Sequence, residues 1–92
     1  MTSLQGYVKI DYDRLVEILG EPTYDGPSGD GKVNTEWEIL DDDCGIITIY
    51  DWKECCAETA RTTPLYRWHI GGRDRRAVDV IREKLNKVVY YA

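Results

Sequence analysis

Phenylalanine is absent from the 92 residues, methionine and histidine occur once each, and cysteine three times. Without Phe, the aromatic volume of any core comes from seven tyrosines and three tryptophans, each with a polar tip that needs a partner or water. Cys55 and Cys56 are adjacent and Cys44 stands apart, which is not the even, spaced set of a secreted disulfide scaffold. Free thiols in a reducing cytoplasm are expected. No apolar run approaches the roughly 18 residues of a membrane span. Met1 to Gln5 lacks the basic patch and apolar stretch of a signal peptide. Basic residues are scarce only in the first two thirds. Residues 1–60 carry four against fourteen acids, a net of −10, while residues 61–92 carry eight against three, a net of +5. Such a split bears on partners and association rather than on fold.

The length corresponds to one domain, 1–92, that buries only about 60–65% of its unfolded surface and is therefore marginally stable. Tyr7 to Ile10 reads as an edge strand or a lead-in. Asp11 is placed to cap a helix whose apolar stripe is Tyr12, Leu15, Val16, Ile18 and Leu19, stopped by Gly20 and Pro22. Thr23 to Lys32, with Pro27 and three glycines, is a loop. Val33, Thr35, Trp37 and Ile39 then alternate with polar residues, and Ile46 to Tyr50 forms a continuous β-prone run. The two make a hairpin turned by Asp41, Asp42 and Asp43, with neighbours expected on both faces of the second strand. Its register is left open, because a one-residue change in the loop swaps the two faces. Asp51 to Pro64 is irregular, with room for a turn of helix around Cys55 to Ala60. Leu65 to Ile70 is a strand with Tyr66, Trp68 and Ile70 on one side. Asp74 caps a final helix buried through Ala77, Val78, Ile81, Leu85 and Val88. The expected fold is α+β, in the order β-α-β-β-β-α. It has a small antiparallel sheet of three to four strands and two helices on one face.

Few motifs carry chemistry. Gly26 to Lys32 matches the Gly-x4-Gly-Lys string of a phosphate loop, but a helix precedes it and a strand follows, the reverse of the required context. Val33 also lacks the hydroxyl that would hold magnesium, so the segment reads as a structural turn. Cys44, Cys55, Cys56 and His69 are four soft ligands without compact zinc spacing, so no metal or other cofactor is expected. At Trp68 to Arg76 a strand ends in Gly71 and Gly72, and a helix opens with Arg73, Arg75 and Arg76. Cations there oppose the helix dipole, and a phosphate or carboxylate bound by these residues with His69 would relieve them. Pairing with the chain's own acids, such as Arg75 with Asp79, is the plainer reading. Glu36, Glu38, Asp41, Asp42, Asp43, Asp51 and Glu54 gather on and around the hairpin. They form either a solvated acidic turn or a surface that imitates nucleic-acid phosphates. No paired acid, base or nucleophile is identifiable, so an enzyme is not expected.

The segments Gly20-Glu-Pro-Thr23, Gly26 to Val33, Thr35-Glu-Trp37, Thr48 to Lys53 and Trp68 to Gly72 give the chain its resemblance to small proteins encoded by bacterial viruses and prophages. The resemblance implies a viral accessory protein acting inside the bacterial host cell, and it brings no catalytic residues with it. Small acidic proteins of this kind bind and block host defence or nucleic-acid-handling complexes, CRISPR effectors among them. The expected partner is such a host protein, met through the acidic hairpin, with no membrane and no direct nucleic acid. The alternative is a phosphate or nucleotide binder at Gly71 to Arg76. A homodimer, with the acidic hairpin of one copy on the basic helix of another, is a further way to satisfy the charge split. Pairing of the two regions within one chain would serve equally.

Overall fold

A computed structural model describes residues 3–26, 33–52, 57–85 and 90–91 of the chain. Strand β1 spans Ser3–Lys9, helix α1 Tyr12–Leu19, and strands β2, β3 and β4 span Tyr24–Asp25, Thr35–Asp41 and Gly45–Tyr50. Helix α2 covers Ala57–Thr62, β5 Arg67–Gly72, α3 Arg76–Leu85 and β6 Tyr90–Tyr91. The strands form one sheet in the order β2-β3-β4-β5-β1-β6, and every neighbouring pair is antiparallel. The α+β class and the antiparallel sheet match expectation. The counts do not, because two-residue strands at both edges and the six-residue α2 raise them to six strands and three helices among the described residues. Elements that short have too few residues to show a period in sequence.

The core lies between one face of the sheet and the helices. Val8, Trp37, Ile47, Ile49, Trp68 and Ile70 rise from the sheet, and Leu15, Ala77, Ile81 and Leu85 come down from α1 and α3. Two indoles set the spacing. Trp37 and Trp68 meet edge to face at 5.3 Å, and Tyr12 of α1 leans on both. Trp68 Nε1 donates to the Ile10 carbonyl and Trp37 Nε1 to that of Gly20, so α1 is held at both ends. Asp11 stands at the N-cap of this helix as expected, but its side chain makes no capping hydrogen bond. Its Oδ1 accepts instead from the N–H of Leu65, 2.6 Å away, which ties the start of α1 to the turn before β5. Asp74 does act at the head of α3, accepting from the Arg76 N–H. The strand residues Trp68 and Ile70 and the helix residues Ala77, Ile81 and Leu85 are buried as the periodicity predicts, while Val88 lies outside the described residues.

The β3–β4 hairpin pairs Asp41 with Gly45 across a three-residue loop, and Gly45 takes φ +73. That left-handed position closes such loops and favours glycine. Within the turn, Asp41 Oδ2 accepts from the N–H groups of Asp43 and Cys44. At the end of β5, Gly72 lies under α3, where an added Cβ would sit 2.5 Å from that of Ala77. Glycine is what lets this helix approach the sheet.

Asp51 departs most from expectation. Placed on the acidic surface by its position after β4, it is 0% exposed, and its Oδ1 accepts from the N–H groups of Asn34 and Thr35. It therefore fixes the point where the chain enters β3. Replacing it leaves two buried N–H groups without acceptors. Asp51→Ala should cost about 2–4 kcal/mol in chemical denaturation, with Asp51→Asn recovering part of the loss. A change below about 0.5 kcal/mol would contradict this role.

Candidate functional site: the open face of the sheet

The face opposite the helices is built from the alternate residues of the same strands. Strand pairing sets Glu36, Tyr50, His69 and Tyr7 in one row across β3, β4, β5 and β1. The next row is Glu38, Thr48, Gly71 and Leu4, and beyond it stand Leu40 and Ile46. The period-two alternation of β3 thus resolves the register: Trp37 and Ile39 point inward, Glu36, Glu38 and Leu40 outward. The expected cover on both faces of β4 is partial: on the outer face Thr48 is buried, but Ile46 is 43% exposed and its neighbour Leu40 80%.

His69 sits at the centre of the first row. Its ring is 4.9 Å from Tyr7, 5.4 Å from Tyr50 and 6.0 Å from Trp52. The guanidinium of Arg67 lies 4.4 Å above the Tyr7 ring. Burial and the charge of Arg67 lower the His69 pKa, with Asp51 pulling weakly the other way, and Nδ1 has no hydrogen-bond partner. The imidazole is therefore held neutral as part of an aromatic cluster. Gly71 beside it is a packing glycine: an added Cβ would lie 2.5 Å from Thr48 Oγ1 and 3.3 Å from the Tyr50 ring.

These contacts occupy several of the residues named for an anion site. Gly71 and Gly72 face side chains, and His69 is enclosed by rings. Arg76 forks onto Asp74 rather than onto a free anion, at 2.9 Å. Asp74, rather than Asp79, is thus the acid that engages this arginine cluster. Arg75 is exposed, and Arg73 runs back toward the hairpin.

The acidic set is partly assembled. Glu36 and Glu38 share the open face, and Asp42 and Asp43 are exposed at the adjoining turn. Asp41 is occupied in closing that turn, which lowers its pKa through the Cys44 and Asp43 N–H groups. Asp51 is buried, and Glu54, like Cys55, Cys56 and residues 27–32 of the glycine loop, lies outside the described residues. Burial raises the Glu36 pKa, and the like charge of Glu38 adds to it. Basic charge approaches from behind without pairing: Lys84 acts on Asp41, and Asp43 on Arg76. Among the described residues the ion pairs are Arg14–Glu17, Arg61–Asp25 and Arg76–Asp74, so none neutralises the hairpin acids.

A groove of about 470 Å³ runs along this edge, lined by Glu36, Glu38, Leu40, Gly45, Ile46, Thr48 and Arg73. Sequence reading found its carboxylates and missed its apolar floor. The signal was present in the shared parity of Glu36, Glu38 and Leu40, but it could be used only once the register was known. Cys44, beneath the turn, is a buried free thiol whose pKa burial raises. Among the described residues no three side chains are grouped to hold a metal ion, and no helix is long and apolar enough to cross a membrane. No protein-family model, curated protein or solved structure matches the chain.

Two titrations of opposite sign follow. Glu36 has a raised pKa, so its ionisation opposes folding, and Glu36→Gln should raise Tm at pH 7 by on the order of 2 °C. That gain is present above the raised pKa and disappears as pH falls through it toward the ordinary 4.5. His69 has a lowered pKa, so stability is full above the ordinary 6.5 and declines as pH falls from there toward the folded value. Thermal melts of His69→Phe between pH 7 and 5 should lack this decline. An unchanged slope would remove His69 as its source.

Proposed function

We propose that the chain is a binding protein without catalytic activity, of the kind bacterial viruses use against their hosts. It acts inside the bacterial cell by covering a basic, nucleic-acid-holding surface of a host complex, such as a CRISPR effector. The observation that carries this reading is the composition of the open edge. Glu36 and Glu38 have no counter-ion among the described residues, and they line one groove with Leu40 and Ile46, both exposed. Carboxylates set around exposed apolar side chains have the mixed character of a docking surface, in which apolar area supplies affinity and charge supplies orientation and partner choice. The expected partner surface is cationic because the edge is anionic.

The test is capture from bacterial lysate on the immobilised full chain, with mass spectrometry of the retained proteins. At about 0.1 M salt, nucleic-acid-binding proteins should be retained, and they should be released by salt near 1 M, where exposed charges are screened within about 3 Å. Added duplex DNA should compete them away. The informative variant reverses Glu36, Glu38, Asp42 and Asp43 to Lys and leaves Asp41, whose carboxylate closes the turn. It should retain none of them. Retention of the same proteins by the reversed variant, or indifference to salt, would overturn the reading.

A further inference from the structure

We propose that the groove between Glu36, Glu38, Leu40, Ile46 and Arg73 is an anchor site for an arginine side chain of the partner, and that Arg73 is its resident competitor. The inference rests on the docking reading and specifies its chemistry.

Three observations converge on arginine. The first is shape: about 470 Å³ falls within the roughly 300–1,000 Å³ of small-ligand sites. It is an open trench rather than an enclosed cavity. The second is the distribution of lining groups. Leu40 and Ile46 offer apolar surface to a methylene stem, while Glu36 and Glu38, two positions apart on one strand, place two carboxylates at its side. Thr48 lines the same trench at 7% exposure, its hydroxyl turned toward Gly71. The third is Arg73 itself. Its Cδ and Nη1 come within 3.2 Å and 3.4 Å of the Cβ position at Gly45, so an arginine stem already lies across one end of the trench. Yet Arg73 forms no ion pair with either glutamate. The trench accepts this type of side chain and still has two unpaired carboxylates.

Arginine is favoured over lysine because its planar fork can meet a carboxylate through two parallel hydrogen bonds and is more weakly hydrated. A phosphate or a nucleic acid is disfavoured by the same two carboxylates. A bound guanidinium would also offset the repulsion between Glu36 and Glu38.

The full chain, labelled with 15N, is titrated with acetylated tetra-arginine amide, tetra-lysine amide and tetra-glutamine amide. Tetra-arginine should shift the amides of Leu40, Gly45, Ile46 and Thr48 most, bind more tightly than tetra-lysine, and leave tetra-glutamine without effect. Glu36→Gln with Glu38→Gln, close in shape to the parent, should weaken tetra-arginine about tenfold or more, as loss of charge-assisted hydrogen bonds implies. Arg73→Ala should strengthen it severalfold, which a purely structural role for Arg73 does not predict. The groove assignment is overturned if Arg73→Ala weakens binding, or if shifts spread evenly to Asp13, Glu17, Asp42 and Asp43 with arginine and lysine equal. In that second case salt-sensitive capture from lysate can still stand, because a diffuse acidic surface is enough for it. A focused groove response with no salt-sensitive capture would instead remove the docking reading and keep the groove.

Discussion

The two indole N–H groups hold this molecule together. Trp68 and Trp37 stand on β5 and β3, meet edge to face, and each donates one hydrogen bond to the backbone at opposite ends of α1. A helix of eight residues is too short to be stable alone. Fixed at both ends to the sheet, it becomes a lid over the core, with α3 closing the remainder. In a chain without phenylalanine, the buried tryptophans provide both volume and direction, since each has one polar atom that must be satisfied.

Closing one face defines the other. Once Trp37 and Ile39 turn inward, the pleat obliges Glu36, Glu38 and Leu40 to turn outward, and the pairing register lines them up with Tyr50, Thr48 and Ile46. The centre of that outer face seals itself through the cluster of Tyr7, His69, Tyr50 and Trp52. The edge beside β3 does not. Charge and apolar surface coexist there because, among the described residues, no arginine of the second half pairs with Glu36 or Glu38. Arg76 is held by Asp74, Arg67 lies over Tyr7, and Arg73 lies along Gly45. The charge split of the sequence thus survives folding as an acidic edge with a basic helix behind it, linked by field rather than by ion pairs.

Much of this fold is legible from periodicity. The apolar stripe of α1, the alternation of β3 and the buried face of α3 follow from spacing alone. The aspartate run marks the hairpin turn, which the pairing of Asp41 with Gly45 places one residue later, at 42–44. What escaped depends on partners distant in sequence. Asp51 looks like one more surface acid until the backbone of Asn34 and Thr35 is brought to it, and the Asp11 carboxylate looks like a capping acceptor until Leu65 offers a competing N–H. Likewise Gly71 and Gly72 suggest an anion loop, whereas their missing side chains admit Thr48 and Ala77. The carboxylates of the candidate site could be found by composition, but its floor could not, because Leu40 and Ile46 become neighbours only through the hairpin register.

The most direct measurement is residue-resolved carbodiimide labelling of carboxylates in the native chain, read by mass spectrometry. Exposed, unpaired acids on an open edge react and buried acceptors do not. Asp42, Asp43 and Glu38 should be modified readily and the half-buried Glu36 more slowly, while Asp51 stays protected until the chain unfolds. Protection of Glu36 and Glu38 to the level of Asp51 in the isolated protein would mean that the edge is already covered, and the account of an available acidic docking face would be wrong.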